Sequence, residues 1–324
     1  MKQTPHHSDQ RYRSLLQKAV RRGYSDLIIE LSALIDDSGA KERSWYKSRT
    51  VVIAFEECWP LAERLDFNRS FASKVKALVK VARTTKFKDA AGLGTLAYAL
   101  SMNDRSVLNG SDDDRHIKIV ASGIRRPDAF WDWIVKQPVP ALNFAVIDNA
   151  KKYRNVGWPW DKAFVQAGAY LAALGNTPEV SGTDRPERPE NDFPFWVALD
   201  RHTPQGKQAL FRLSSETGVP VQQMEWSNFY FEGAKTDACL PSEWWDREIA
   251  WRLKTVDLSY DESKKLWNES RPGFMALLAE ESDKFVRDFN EWKERNIETV
   301  EKLRNEVMMD TKNLPTKQKS LFGF

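Results

Sequence analysis

The sequence contains little cysteine and no long apolar run. Its 324 residues include two cysteines, Cys58 and Cys239, which stand far apart in apolar or aromatic surroundings. They are expected to be buried free thiols, a usage typical of a reducing compartment rather than of a disulfide-rich secreted protein. No apolar stretch approaches the length of a membrane span, and the N-terminus lacks the apolar core of a signal peptide. We therefore expect a cytoplasmic protein with no membrane partner.

Sequence motifs for the common catalytic sites are also missing. No Gly-x-x-x-x-Gly-Lys-Ser/Thr loop occurs, so the chain has no phosphate-binding loop for ATP. The patterns His-Glu-x-x-His, Cys-x-x-Cys and Gly-x-Ser-x-Gly are absent as well. We therefore expect a protein without a cofactor, a bound metal or catalytic residues.

Two groups of acidic residues with a histidine leave an enzymatic alternative open. His202 follows Asp200 closely, and His116 follows Asp112-Asp113-Asp114. Carboxylate and imidazole groups at such spacing can support metal-dependent or acid–base chemistry, as in a nucleic-acid-processing enzyme. The favoured interpretation is structural, with a solvated loop at 112–114 and a helix start at His202.

Apolar residues recur at helical spacing along most of the chain, whereas the alternating patterns of strands are scarce. Hydrophobic residues make up 41% of the chain, enough to build a core. The fold class is therefore predicted to be all-α. Thirteen tryptophans spread along the chain predict aromatic packing between the helices.

Several helix boundaries can be predicted from local chemistry. Gly23 predicts the end of the first helix, and Ser25 the cap of the second. Thr203 followed by Pro204 predicts another helix start. The segment Val51–Phe55 contains enough β-branched residues to form a strand, but the charged residues on either side of it favour a buried helix. One long amphipathic helix is predicted over residues 280–309.

The clearest boundary in the chain is the stretch 176–192. It contains three prolines and seven charged residues, with Val180 as its only aliphatic residue. This composition predicts an exposed linker between a helical domain over 1–175 and a second helical domain over 193–309. The stretch 310–317 is mostly polar, and residues 310–324 are predicted to form a flexible tail.

Positive charge is concentrated after residue 70. The segment 70–88 carries six basic residues and no acidic one. Three of them stand at i, i+4 and i+7 on one helical face, opposite the apolar residues, which is the arrangement that phosphate contacts require. The ordinary alternative is a solvated helix face. The candidate DNA-binding residues are Lys74, Lys76, Lys80, Arg83, Lys86 and Lys88.

The last residues carry the most specific motif. Gln318-Lys319-Ser320-Leu321-Phe322 is similar to the peptide with which bacterial and phage proteins bind a sliding DNA clamp. Glutamine can donate and accept hydrogen bonds in a polar subsite, while leucine and phenylalanine fill an apolar cleft. The alternative is a terminus whose aromatic residues fold back on the body. The candidate clamp-binding residues are Gln318, Ser320, Leu321, Phe322 and Phe324.

Two stretches of the first half resemble the helical C-terminal region of the replication-associated recombination ATPases, the RarA/MgsA group of AAA+ proteins. Residues 15–27 contain a helix that ends in a basic residue and glycine, followed by an aspartate-led helix, and Arg49–Glu57 matches the arginine-valine-isoleucine-alanine stretch that closes on an acidic pair. Cys58-Trp59 replaces the isoleucine-glycine of the family. The resemblance implies a collar-like helical bundle, related to clamp loaders and capable of self-association, without its ATPase domain.

Together the tail and the resemblance predict a non-catalytic accessory protein of DNA replication or repair. Its expected partners are the sliding clamp, together with DNA and polymerase or clamp-loader components, and it is a candidate homo-oligomer. Two alternatives remain open: a metal-dependent nucleic-acid-processing enzyme, and a phage protein that blocks the host clamp.

Overall fold

The structure, a computed structural model, describes residues 9–64, 69–175, 177–183 and 193–308. These residues form fourteen α-helices and no β-strand, which confirms the predicted all-α class. No helix among them is both long and apolar enough to cross a membrane. The helices are α1 (Gln10–Arg22), α2 (Ser25–Asp37), α3 (Ala40–Cys58), α4 (Phe71–Ala82), α5 (Asp89–Ser101), α6 (Asp114–Arg125), α7 (Pro127–Ile134), α8 (Ala141–Lys152), α9 (Pro159–Ala173), α10 (Pro204–Thr217), α11 (Val221–Asn228), α12 (Glu243–Lys254), α13 (Tyr260–Arg295) and α14 (Ile297–Met308).

The first two helices form the predicted hairpin. Gly23 takes a left-handed conformation with φ of +87°, and its N–H bonds the Ala19 carbonyl to close α1. Ser25 does not cap α2 as predicted, because Tyr24 occupies the cap position and Ser25 is already helical. The Ser25 hydroxyl instead accepts a hydrogen bond of 3.0 Å from Arg83 Nε.

The β-branched segment Val51–Phe55 is helical, as its charged flanks predicted. It lies inside α3, and all five of its side chains are buried. Helix α3 packs against α2, α4 and α9, so that this segment is covered on several sides. A helical segment that is apolar around its whole circumference, as 51–55 is, is typical of such a central position.

The long C-terminal helix differs from its prediction at both ends. Helix α13 begins at Tyr260, where Ser259 and Glu262 form a capping box, and it ends at Arg295. At Asn296 the chain leaves the helical conformation, and α14 then packs on α2 and α4. This break places the apolar face of α14 on the first half of the protein, where Val300 and Val307 are fully buried.

The helices on the two sides of the predicted linker share one hydrophobic core, which extends from Leu15 to Val307. One close contact between them is that of Gly92 in α5 with the backbone of Trp244 in α12. A Cβ atom at residue 92 would lie 2.4 Å from the Trp244 carbonyl carbon, so only glycine allows this approach. Residues on both sides of 176–192 thus contribute to the main core, and a smaller cluster of Tyr230, Ile249 and Leu253 lies within the second part.

Candidate functional site

The predicted clamp-binding residues lie outside the described part of the chain. Gln318, Ser320, Leu321, Phe322 and Phe324 all follow α14, the last described helix, which ends at Met308. Clamp binding therefore stays a prediction from the sequence.

Four of the six predicted DNA-binding residues lie on α4 or at its end. Lys76 and Lys80 are partly exposed. Lys74 is buried, and its Nζ donates a hydrogen bond of 2.5 Å to the Arg69 carbonyl. Arg83 caps the helix and donates to Ser25. The exposed part of this face is therefore narrower than the sequence predicted.

Lys86 and Lys88 are buried, which removes them from the predicted surface stripe. Lys86 Nζ donates to three main-chain carbonyl oxygens between residues 81 and 84, at 2.5–3.1 Å. Lys88 Nζ lies 2.5 Å from Glu57 Oε2. The helical spacing that would keep both lysines on the stripe ends at Ala82. Beyond it the backbone of residue 86 bonds residues 238 and 240 and turns inward.

Glu57 is the centre of a buried ion cluster that joins both halves of the protein. Its Oε1 accepts from Arg21 Nε at 2.8 Å and its Oε2 from Lys88 at 2.5 Å. Arg21 also donates to the Gly233 carbonyl at 2.5 Å. Burial alone would raise the pKa of Glu57, but Arg21 and Lys88 outweigh it, so the pKa is lowered. We call Arg21, Glu57 and Lys88 the Glu57 cluster; its geometry is that of a structural ion network.

The candidate acid–base pair, Asp200 and His202, also takes part in structural contacts. Asp200 is buried, and its Oδ2 lies 2.7 Å from Lys18 Nζ. Its Oδ1 accepts from the His202 backbone N–H at 2.9 Å. Burial opposes ionisation of Asp200, yet Lys18 and His202 lower its pKa. Both oxygens of this carboxylate are therefore occupied.

The acidic group at 112–114 shows a similar arrangement. Asp114 forms an ion pair with Arg247 and accepts the Gly110 N–H at 2.9 Å. His116 Nδ1 lies 2.8 Å from the Tyr170 hydroxyl. Nowhere in the described ranges do three His, Cys, Asp or Glu side chains come together in a way that could hold a metal ion.

A short π-helix, which the sequence analysis did not predict, organises a second buried cluster. It spans Phe229–Gly233, and Ala234 N–H bonds the Phe229 carbonyl five residues earlier. Such irregularities often mark functional sites. Here the π-helix directs the Tyr230 hydroxyl to Glu248 Oε1 in α12, at 2.6 Å.

Glu248 is buried without an adequate counter-ion. Its Oε2 has no hydrogen-bond partner among the described residues, and the Arg252 Nε is 4.0 Å from its Oε1. Burial raises the pKa of Glu248 to about 7, against the opposing effects of Tyr230 and Arg252. We call Tyr230, Glu248 and Arg252 the Glu248 cluster.

Arg252 also contacts a group of aromatic side chains that reaches the surface. Its guanidinium carbon lies 4.1 Å from the ring centroid of Trp251, 4.5 Å from that of Trp226 and 5.7 Å from that of Trp160. Arg201 stacks on Trp226 at 3.7 Å. At the far side, Tyr98 contacts Trp160 with a centroid distance of 5.2 Å.

We call Tyr98, Trp160, Arg201, Trp226 and Arg252 the Trp–Arg surface. These residues come from α5, α9, the segment before α10, α11 and α12. The sequence analysis assigned the tryptophans to packing between helices and missed this surface, because the residues are separated by up to 154 positions. The only sequence signal is the high tryptophan count.

The described residues therefore contain three carboxylates paired with cations (Glu57, Asp114 and Asp200), one poorly paired carboxylate (Glu248) and the Trp–Arg surface. Comparisons with protein-family models, with curated proteins and with solved structures find no match for this chain.

Proposed function

We propose that this protein is a non-catalytic accessory protein of DNA replication or repair that binds the sliding clamp through Gln318–Phe322. The observation that carries the proposal is the pentapeptide itself, which combines a glutamine with a Leu-Phe pair at the spacing of known clamp-binding peptides. The stretch before it is mostly polar in sequence, a composition that favours an accessible peptide.

The chemistry of the acidic candidates supports a non-catalytic role. Asp200 and Asp114 are held in ion pairs with Lys18 and Arg247. A carboxylate that acts as a general base must be able to reach the proton that it removes. These two carboxylates are occupied by cations instead, so neither Asp200 nor Asp114 supports the enzymatic alternative.

The test is binding of the full chain to a purified bacterial sliding clamp by calorimetry. Ordering a peptide offsets much of the gain from burial, so we expect a dissociation constant on the order of micromolar. Replacing Leu321 and Phe322 together with alanine removes both apolar anchors. We expect a loss of at least about 3 kcal/mol, roughly a hundredfold in affinity.

Two matched variants make this test specific. Gln318→Ala should weaken binding less than the double variant, since water can replace its polar contacts. Lys317→Ala precedes the motif and should leave affinity within about twofold. Equal affinity of the double variant and the parent would refute clamp binding through this peptide. If the double variant does lose affinity, competition with a polymerase for the clamp would separate an accessory protein from a blocking one.

A further inference from the structure

A groove between α2 and α13 contains no residue of the Glu57 cluster, the Glu248 cluster or the Trp–Arg surface. It encloses about 600 Å³, and the segment before α10 forms its base. A cavity of this size can hold large apolar side chains. Phe195 and Val286 remain partly exposed in it. The apolar side chains that line it include Leu27, Phe193, Phe195, Trp196, Val286 and Phe289.

The polar end of the groove lies next to α14. Glu30 lines this end, and its Oε1 is 3.4 Å from Lys293 Nζ and 3.3 Å from Arg304 Nη2. Arg304 stands about one helical turn before Met308, the last described residue. The sixteen residues 309–324 therefore continue from a point close to the groove. Because a chain of that length can extend up to about 50 Å, the groove is within its reach.

The stretch 321–324 has the side chains that an apolar lining requires. Leu321, Phe322 and Phe324 are three large apolar residues among four positions, and their burial is favourable. The stretch 184–192 adjoins the groove at Phe193, but it contains no aliphatic or aromatic residue apart from its prolines. Composition therefore favours the end of the chain as the segment that fills the groove.

The charge on the outer side of the groove also complements the tail. Residues 311–324 contain three lysines and no acidic residue. The exposed face of α13 beside the groove is acidic and has no ion pair between its carboxylates and the basic side chains of the described residues. Its exposed carboxylates, which flank Arg287, are those of Glu280, Asp283, Glu291 and Glu294.

We infer that the tail docks in this groove when it is not bound to a clamp, with Leu321 and Phe322 against Phe195 and Val286. The inference rests on the proposed function, because the same two side chains anchor the clamp-binding peptide. They cannot occupy both sites at once, so docking and clamp binding exclude each other. Docking therefore lowers the apparent affinity for the clamp in proportion to the docked fraction of the chain.

The test without a clamp is the rate at which chymotrypsin cleaves the full chain after Leu321 and Phe322, followed by mass spectrometry of the intact protein. Large apolar side chains suit the specificity pocket of this protease, and docking hides them. Ser282→Trp places an indole in the groove and should raise the rate at least about threefold. Ser215→Trp is the matched control, because Ser215 is exposed on α10 outside the groove. It should leave the rate within about twofold.

A second variant leaves the described fold unchanged. Lys312→Glu combined with Lys317→Glu makes the acidic face of α13 repel the tail, so the cleavage rate should rise about twofold or more at low salt and less at high salt. Lys264→Glu with Lys265→Glu is its control, since both lysines are exposed near the other end of α13. This control should leave the rate within about twofold.

Equal cleavage of the parent, the Ser282→Trp chain and the Lys312/Lys317 variant, at matching melting temperatures, would overturn the inference. If Ser282→Trp does not fold, the Lys312/Lys317 variant decides alone. Its equal cleavage with the parent would then overturn docking, and its faster cleavage would support it.

A clamp titration separates docking from the proposed function. Ser282→Trp should bind a purified bacterial sliding clamp at least about threefold more tightly than the parent, because its tail is always available. Faster cleavage together with an unchanged clamp affinity would refute mutual exclusion. If the groove variants release the tail but no chain binds the clamp, the proposed function fails alone. If all chains bind the clamp equally and are cleaved equally, docking fails alone.

Discussion

The Glu57 and Glu248 clusters each bury a carboxylate to nearly the same degree, but they differ in the partners that they provide for it. Glu57 and Glu248 are 0% and 3% exposed. Both oxygens of Glu57 have cationic partners within 2.8 Å, whereas Glu248 has a tyrosine hydroxyl on one oxygen and, within the described ranges, no partner on the other. The pKa is lowered in the first case and raised to about 7 in the second. The counter-ions, not the burial, decide the sign.

The difference also concerns what each cluster can do. The Glu57 cluster links α1, α3 and the start of α5 with the π-helix, so its ion pairs hold the two halves together. The Glu248 cluster leaves Arg252 in contact with tryptophans instead of a close carboxylate. Three tryptophan rings thus surround the Arg252 guanidinium where a close carboxylate is missing.

The largest expected effect comes from breaking the Glu57 cluster. Glu57→Gln would leave Lys88 buried without its carboxylate partner and Arg21 paired with Glu56 alone, so we expect the free energy of unfolding to fall by about 3–5 kcal/mol. Urea denaturation at pH 7 measures this change. Asp148→Asn is the control, because its pair with Lys152 is exposed and should contribute less than about 0.5 kcal/mol. A loss below about 1 kcal/mol in the Glu57 variant would contradict a structural role.

An effect of opposite sign is expected at Glu248. Its pKa is raised above the ordinary glutamate value of 4.5, so its contribution to stability is complete below that value and is lost as the pH rises through about 7. Glu248→Gln removes the ionisable group and should stabilise the protein at pH 8 by up to about 3 kcal/mol, with little effect at pH 5. Thermal melting at both pH values tests this.

The exposed Glu243 of the same helix provides the control for this experiment. Glu243→Gln should change stability by less than about 0.5 kcal/mol at either pH. If Glu248→Gln destabilises the protein at pH 8 as strongly as Glu57→Gln does, the two clusters do not differ as their geometry indicates.

The smallest effect is expected for charges that belong to neither cluster. Lys76 and Lys80 are partly exposed on α4, so reversing both to glutamate should weaken DNA binding mainly at low salt. If each lysine contacts one phosphate, the slope of log affinity against log salt should fall by about two. An unchanged slope in a folded double variant would remove α4 from the DNA-binding surface.

Local chemistry was sufficient to predict much of the helical structure. Gly23 ends α1 and Thr203 caps α10, with its hydroxyl bonded to the Gly206 N–H, because each depends only on residues within one turn. The break at Asn296 was missed, since the apolar pattern continues across it. What favours the break is the burial of α14 against α2 and α4, which are distant in the chain.

The placement of charged and aromatic side chains was harder to predict. Lys86 and Lys88 follow α4 in a basic segment that resembles a surface stripe, yet both are buried against partners that the local sequence does not reveal. Tryptophan counts indicated aromatic packing in general. They could not show that Trp160 stays exposed beside Arg252, because those residues are 92 positions apart.

The sequence by itself determined the all-α class, the end of α1, the start of α10 and the presence of a clamp-like peptide, because periodicity, caps and short motifs are local properties. The tertiary structure decided which carboxylates are paired, which lysines are buried and which tryptophans meet arginines at the surface. The physical reason is that burial and charge pairing depend on which helices pack together, and here α12 packs on α5 across a separation of more than 140 residues.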